Sequence, residues 1–310
     1  MSDVIHDLVI IGAGPSALTA AIYTTREDID TLLLEKGVVG GLAAITDKID
    51  NYPGFADGVE GFILTDQMRK QAERFGSKIE LGDVTAINCA KDIKTIKVDG
   101  KEIKSKAILI ASGSSYNRLG VPGELEYYGR GVSYCATCDG AFYRGKKLAV
   151  IGGGNSAVQE AIFLTRFASH IDLLVRSTIK ASEVLQRELQ KYVDEGKITV
   201  HVGTVTSEII ATNNHVSSVR VVENKKDKFI EADGVFVFAG LKPNTQFLDN
   251  SDINLDEAGF VITDLHLQTN LPGVFASGDV RSGATMQIAS AVGEGATAAQ
   301  SIREYLSAIV

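Results

Sequence analysis

Two of the chain's three cysteines stand two residues apart in SYCATCDGAF, as Cys135 and Cys138, and Asp139 follows at once. Thiols at this spacing hold a metal, close a small staple, or cycle between dithiol and disulfide. A metal clip needs four soft ligands, and the third cysteine, Cys89, has no cysteine or histidine at ligand spacing, so no metal is expected. A static staple across so short a loop gains little from restricting the unfolded chain. The remaining reading is a redox pair, because a short CxxC loop lowers one thiol pKa and favours exchange with a partner disulfide. Asp139 has two readings: a cap for the turn or helix that follows, or, beside a dithiol, a general acid that protonates a leaving thiolate.

Two glycine turns offer a second kind of chemistry. HDLVIIGAGPSALTAAIYTTREDIDTLLLEK at the start and KKLAVIGGGNSAVQEAIFLTRFASHIDLLVRS in the middle share one layout of strand, glycine turn, apolar-periodic helix and second strand. They are an internal repeat of a single βαβ unit. Gly12, Gly14 and Ala17 fill the three small positions of the first copy, and Gly152, Gly154 and Ala157 those of the second. The first glycine permits the tight turn, the second admits a pyrophosphate to the backbone, and the third lets helix and strand pack closely. Glu35 ends the second strand of the first copy, where an acid binds an adenosine ribose; the second copy ends in Val175-Arg176, and an arginine there favours a ribose 2′-phosphate. One such turn is a weak signal, and even two are compatible with mere tight packing. Two in the same context, each ending in a ribose-type residue, point to two dinucleotides, and so to a flavin enzyme that takes hydride from a nicotinamide.

The elements that must position these groups follow from the punctuation. AILIASGSSYNRLGVPG reads as a buried strand running into a Gly/Ser turn and a Pro-Gly turn, and GVFVFAGLKPNT repeats that form after the second unit. LPGVFASGDVRSG gives a strand followed by Gly278-Asp279, and a helix from about Met286 to Ile309 has no nucleotide turn of its own. That helix is expected to return and complete the first domain, which makes the second unit an insertion: residues 1–117 and 247–310 against 118–246. His170 is expected at a helix end on the surface, Cys89 in a buried strand, and the run ENKKDK (223–228) at a hairpin tip.

Composition bounds the reading. A chain of 310 residues has room for two domains, and a net charge of -8 with no basic block makes nucleic acid or an anionic membrane an unexpected partner. The opening MSDVIHDLVIIGAGPSA sets acidic residues before a short apolar run broken by glycine, the opposite of a secretory leader. No stretch reaches the roughly 20 apolar residues of a membrane span. With three cysteines and no disulfide framework, a reducing cytoplasm is the expected compartment.

With CATC just ahead of the second glycine turn, the chain resembles the low-molecular-weight, bacterial and archaeal type of thioredoxin reductase over its whole length. The matching marks are GAGPSA, GGL followed by DNYPGF (40–55), the ASG turn, CATCDG, GGGNSAVQEA, and GDVRSG with QIASAVGEGATAA. The resemblance implies an α/β fold of two doubly wound, Rossmann-like nucleotide-binding domains, the second inserted into the first. The split domain would hold FAD, and the inserted one NADPH and the redox cysteines. Carried over by position, FAD falls on Gly12, Gly14, Pro15, Ser16, Ala17, Glu35, Gly41, Leu42, Asn51, Gly113, Gly278, Asp279, Gln287 and Ile288. NADPH falls on Gly152, Gly154, Asn155, Ser156, Ala157 and Arg176, with Lys180 as a substitute cation. Where the family has an HRR triplet and a later arginine, this chain has VRSTIKAS, and Met286 stands where an arginine commonly precedes the glutamine.

The expected reaction is reduction of thioredoxin or a thioredoxin-like protein by a homodimeric enzyme, with Cys138 nearer the flavin, Cys135 attacking the partner, and Asp139 as acid. Three alternatives stay open: NADH as donor, a non-nicotinamide donor such as ferredoxin, and a non-enzymatic redox sensor. Because the motif order puts the dithiol and the hydride donor on one domain and the flavin on the other, a rotation is expected about hinges at 117–122 and 242–247.

Overall fold

In strand β1 (Ile5–Ile11) the residues Leu8 to Ile11 are buried without a break, as befits a parallel strand covered on both faces. The computed structural model describes residues 4–46, 49, 51–89 and 92–309; Asp50 of the DNYPGF motif lies outside them. After β1 come α1 (Pro15–Thr25) and β2 (Thr31–Glu35), the first βαβ unit of the sequence reading. Pro15 sits in the first turn of α1, where its missing N–H has no helical partner to lose. Next come α2 (Gly41–Ala44), α3 (Gly61–Arg74), β3 (Lys78–Leu81), β4 (Val84–Asn88), β5 (Lys94–Val98) and β6 (Lys101–Ile110). The chain then leaves through β7 (Ser114–Tyr116).

The second βαβ unit lies in the stretch that follows. It contains β8 (Val132–Ser133), α4 (Ala136–Asp139), β9 (Lys147–Ile151), α5 (Asn155–Leu164), β10 (His170–Val175), α6 (Glu183–Asp194) and β11 (Ile198–Val202). Three antiparallel strands, β12 (Thr204–Thr212), β13 (His215–Glu223) and β14 (Lys226–Glu231), precede β15 (Gly234–Val237). The chain returns through β16 (Leu241–Pro243), which pairs with β7, and ends with β17 (Val274–Ala276) and α7 (Ile288–Ala308). It divides into two units, Met1–Ser115 with Lys242–Val310, and Tyr116–Leu241. The breaks fall a few residues before 117/118 and 246/247.

In the first unit β3, β2, β1 and β6 run parallel in that order. The long strand β6 serves two neighbours beyond β1: its first residues pair antiparallel with β5, and Ile108 to Ile110 pair parallel with β17. Register assigns the faces. Ile10 sits between Leu33 and Leu109, and these join Leu8 in a core with α1, α3 and α7. Val9, Ile11, Leu32, Leu34, Ile108 and Ile110 point the other way, against β4, β5 and residues from 247 to 280. Each such side chain, fully buried, contributes about 1.5–3 kcal/mol. Helix α7 crosses α1 closely: a Cβ on Gly295 would lie 2.3 Å from the Ser16 carbonyl oxygen, so only glycine fits there.

The second unit repeats the plan with β11, β10, β9, β15 and β8 all parallel. Val150, between Leu173 and Phe236, faces α5 and α6, while Ala149, Ile151, Leu174, Val235 and Val237 face the antiparallel strands. The tip of ENKKDK is a two-residue turn, Asn224 and Lys225, both at positive φ as a tight hairpin requires.

Three local expectations change. Cys89 is half-buried one residue beyond β4 rather than inside a strand, and burial pushes its thiol up to about 11 against the opposing charge of Lys94, so it stays a protonated thiol. His170 opens β10 instead of closing a helix, and its ring bonds the Gly196 carbonyl and the Thr199 hydroxyl. The stretch read as a hinge at 117–122 is tied down from Leu119 onward, because the buried carboxylate of Glu124 accepts the N–H groups of Leu119 and Gly120 at 2.8 Å each and the Tyr134 hydroxyl at 2.8 Å.

Candidate functional site: two glycine turns and a disulfide

At the first turn the two glycines differ in their surroundings. Gly12 has φ +106°, donates its N–H to Leu34 O at 2.8 Å, and would place a Cβ only 2.4 Å from Ala111 O. Gly14 has an ordinary φ of -75°, and a Cβ there would meet nothing within 4 Å. Its missing side chain leaves open space before the first N–H groups of α1, the place where a helix start attracts an anion. Ala17 is fully buried, which closes helix onto strand. The Glu35 carboxylate accepts the N–H groups of Ala13 and Gly37, both at 2.8 Å, and so is held against this turn.

Other expected residues gather at the same place. Gly40 N–H donates to Ala13 O at 2.7 Å, and a Cβ on Gly41 would lie 3.6 Å from Gly14 Cα; Leu42, next on α2, is exposed. Ser16 and Ser277 share a hydroxyl hydrogen bond of 2.6 Å, which brings the Gly278-Asp279 turn to the start of α1. Gly113 follows the Ala111-Ser112 pair that crowds Gly12, and its carbonyl accepts Asn244 N–H at 3.0 Å. Asn51 Nδ2 donates to Gln287 Oε1 at 3.0 Å, so these two residues meet at the start of α7, where Ile288 packs onto the core.

The second turn matches the first in detail. Gly152 has φ +146°, donates to Leu174 O at 3.0 Å, and would clash with Phe238 O at 2.5 Å; Gly154 again faces open space. Ala157 is buried, while Asn155 and Ser156 are exposed. The loop after β10 folds back over this turn: Lys180 N–H donates to Gly153 O at 2.6 Å and Ser182 N–H to Asn155 Oδ1 at 2.8 Å. Exposed Arg176 and Lys180 are thereby placed beside the turn, with no ion pair to another side chain among the described residues.

Within the same unit Cys135 and Cys138 form a disulfide, with Cα atoms 5.3 Å apart. Both are half-buried, and Cys138 N–H points at Cys135 Sγ at 3.2 Å. A dinucleotide-type turn and a disulfide on one unit, with a second such turn on the other, is the arrangement of an enzyme that moves electrons between a nucleotide and sulfur.

Residues 6–295 match the family described as pyridine nucleotide-disulphide oxidoreductase. The chain belongs to that family. Among its relatives, a protein named thioredoxin reductase from Listeria innocua is 42% identical over 97% of this chain and 94% of its own. Another of that name from Bacillus subtilis is 40% identical over 97% of this chain and 95% of its own. The crystal structure of thioredoxin reductase from Streptococcus pyogenes superposes with a TM-score of 0.93 at 38% identity, covering 99% of this chain and 100% of that one. The α/β class and the two Rossmann-like nucleotide-binding units of the sequence reading are therefore found, and the chain is a flavin-type oxidoreductase of the thioredoxin reductase kind.

In this oxidoreductase Asp139 precedes a 3-10 turn (Gly140–Tyr143), yet its side chain makes no cap hydrogen bond there. Its Oδ2 accepts the Ser133 hydroxyl at 2.5 Å instead. Burial, and then the charge of Asp139, push the Tyr143 phenol up to about 12 and raise that of Tyr128 as well. Asp279 is half-buried, and burial followed by the nearby negative charge of Glu294 raises its carboxyl to about 6. Glu294, not among the residues singled out above, accepts Gly278 N–H at 2.7 Å and pairs with Arg281 at 2.7 Å. Ser133 is another such residue. The available signal for Glu294 was a carboxylate between two glycines of an apolar helix, GEG, a costly arrangement unless the charge has a partner.

Proposed function

We propose that the chain passes electrons from NADPH through FAD to its Cys135–Cys138 disulfide, and that the resulting dithiol reduces thioredoxin or a thioredoxin-like protein. The first unit, 1–117 with 247–310 in the sequence reading, serves as the FAD domain, and the inserted unit serves NADPH and the dithiol. Bound FAD and NADPH supply the hydride chemistry. The chain's part is to hold them and to manage the thiols. Gly12, Gly14, Pro15, Ser16 and Ala17 receive the FAD pyrophosphate at the start of α1, Glu35 takes the adenosine ribose, and Gly41, Leu42, Asn51, Gly113, Gly278, Asp279, Gln287 and Ile288 border the rest. Gly152, Gly154, Asn155, Ser156 and Ala157 do the same for NADPH. Cys135 is the thiol that attacks the partner, Cys138 its resolving thiol, and Asp139 the proton donor.

The observation that carries this reading is the sharing of one unit by the disulfide and a glycine turn whose second glycine faces open space. A cytoplasmic homodimer is the assembly expected from the family resemblance and the sparse cysteines; no helix among the described residues is long and apolar enough to cross a membrane.

The donor has a second reading, because Ser177 stands where the family carries a further arginine. We take NADPH as the donor: Arg176 and Lys180 both lie beside the turn, exposed and without an ion-paired carboxylate. Arg176→Ala is expected to lose about 1.5–3 kcal/mol of NADPH binding while leaving NADH nearly unchanged, the size of a hydrogen bond to a charged group. Anaerobic titration of the oxidised protein with each nucleotide tests the reading. Flavin bleaching by NADPH at lower concentration than by NADH supports it, preference for NADH assigns the site to the unphosphorylated nucleotide, and bleaching by neither removes nicotinamide from the account.

A further inference from the structure

We infer that Ser133 is a positioning residue for Asp139, fixing the carboxyl and setting its strength as an acid beside the disulfide; the inference rests on the disulfide-reductase function proposed above. Ser133 ends β8 and is 2% exposed. Its Oγ lies 3.1 Å from the Cys135 backbone nitrogen, which can only donate, 2.5 Å from Asp139 Oδ2, and 3.3 Å from Cys135 O. A hydroxyl has one proton to give. The shorter distance and the charge direct it to Asp139. Ser133 therefore links the backbone of one redox cysteine to the carboxyl that follows the other, and a hydroxyl held from both sides cannot turn without losing a bond. Among the described residues, Tyr128 from the segment before β8 and Tyr143 from the 3-10 turn after α4 feel the charge of Asp139, and the redox cysteines stand one and four residues before it in the chain.

Two electrons from the reduced flavin of the proposed function break the Cys135–Cys138 bond and leave two thiolates. One proton passes from the Asp139 carboxyl to one thiolate, giving a thiol, a thiolate and a carboxylate. That carboxylate accepts the Ser133 O–H more strongly than the neutral carboxyl did, so the bond favours release of the proton.

The test uses the holoenzyme with thioredoxin and follows kcat, KM and their pH dependence in Ser133→Ala, Ser133→Thr, Asp139→Asn and the double variant. Ser133→Ala is expected to lower kcat about tenfold at little-changed KM. It should also move the limb governed by Asp139 about one pH unit to the alkaline side, the size of one hydrogen bond to a charged group. Ser133→Thr, which keeps the hydroxyl, should restore both, and in the Asp139→Asn background Ser133→Ala should change nothing further. The pH profile of iodoacetamide alkylation of the reduced pair, which needs no turnover, should shift in the same direction. Should Ser133→Ala not fold, Ser133→Gly, which also removes the hydroxyl and adds no thiol, replaces it with a shift of the same sign. Rate and alkylation profiles that superimpose on the unmodified protein, or a loss that persists undiminished beside Asp139→Asn, would overturn the inference. Failure of the unmodified enzyme to reduce thioredoxin would instead remove the proposed function, and the alkylation profile would still decide the role of Ser133.

Discussion

Asp279 shows how a single buried carboxyl can weigh against the fold. Its carboxyl is raised to about 6, first by burial and then by Glu294, against an ordinary value near ~4. Below about pH 4 the group is protonated in both folded and unfolded chains and costs nothing. As pH rises from there, the unfolded chain ionises first, so the stabilisation is lost through about pH 6, on the order of 2 kcal/mol by neutrality. In flavin-free protein Asp279→Asn is therefore expected to raise the unfolding midpoint at pH 7 and to leave it nearly unchanged at pH 4, while weakening flavin retention if Asp279 binds FAD. Thermal melts at the two pH values check this; equal gains at both would assign the effect to packing instead. The position of Asp279 was legible in the sequence as GD after a strand. Its environment was not, because Glu294 acts on it from helix α7, whose approach no local pattern reveals.

At the scale of elements, the two strand-turn-helix units were the most legible part of the chain, since a glycine forced by backbone geometry and a glycine forced by a ligand both leave a mark in sequence. The structure separates the two positions. Gly12→Ala would put a Cβ 2.4 Å from Ala111 O at φ +106°, and should destabilise the protein by several kcal/mol whatever is bound. Gly14→Ala meets no protein atom at an allowed φ, and should change the stability of the flavin-free chain by less than ~0.5 kcal/mol while lowering the flavin content of purified protein. Denaturant unfolding alongside flavin absorbance distinguishes the two; a Gly14→Ala protein as unstable as Gly12→Ala would mean that the second glycine is structural. The contacts that hold these elements in place were less legible. Glu124 capturing Leu119 and Gly120 looks in sequence like one more exposed acid after a Pro-Gly turn; Cys89 lies one residue beyond its strand, and His170 opens the strand that follows the helix it was read into. Periodicity locates an element but is least reliable at its ends.

For the molecule as a whole, the insertion was readable because the last helix has no glycine turn of its own, but what joins the two pieces of the first unit was not. Beside the β6–β17 pairing and the packing of α7 on α1, Asn244 ties the two pieces together where the insertion leaves them. It donates N–H to Gly113 O at 3.0 Å and Nδ2 to Ser112 O at 2.8 Å, while its own oxygens accept the Ser112 and Ser115 hydroxyls at 2.8 Å each. The ends left by removing residues 116–241 are thus already adjacent within the first unit. A chain joining Ser115 to Lys242 by a short Gly/Ser linker should fold and purify with flavin, whereas residues 1–115 alone, lacking β17 and α7, should not. A colourless, unfolded linked chain would show that the inserted unit is needed for folding as well as for chemistry. The central claim, that the Cys135–Cys138 pair relays electrons between nicotinamide and a protein disulfide, is tested most directly by NADPH-dependent thioredoxin reduction with the unmodified enzyme and its Cys135→Ser and Cys138→Ser variants. The account predicts turnover by the unmodified enzyme and none by either variant, with flavin still bound and still bleached by NADPH in both; sustained thioredoxin reduction by either variant would contradict it.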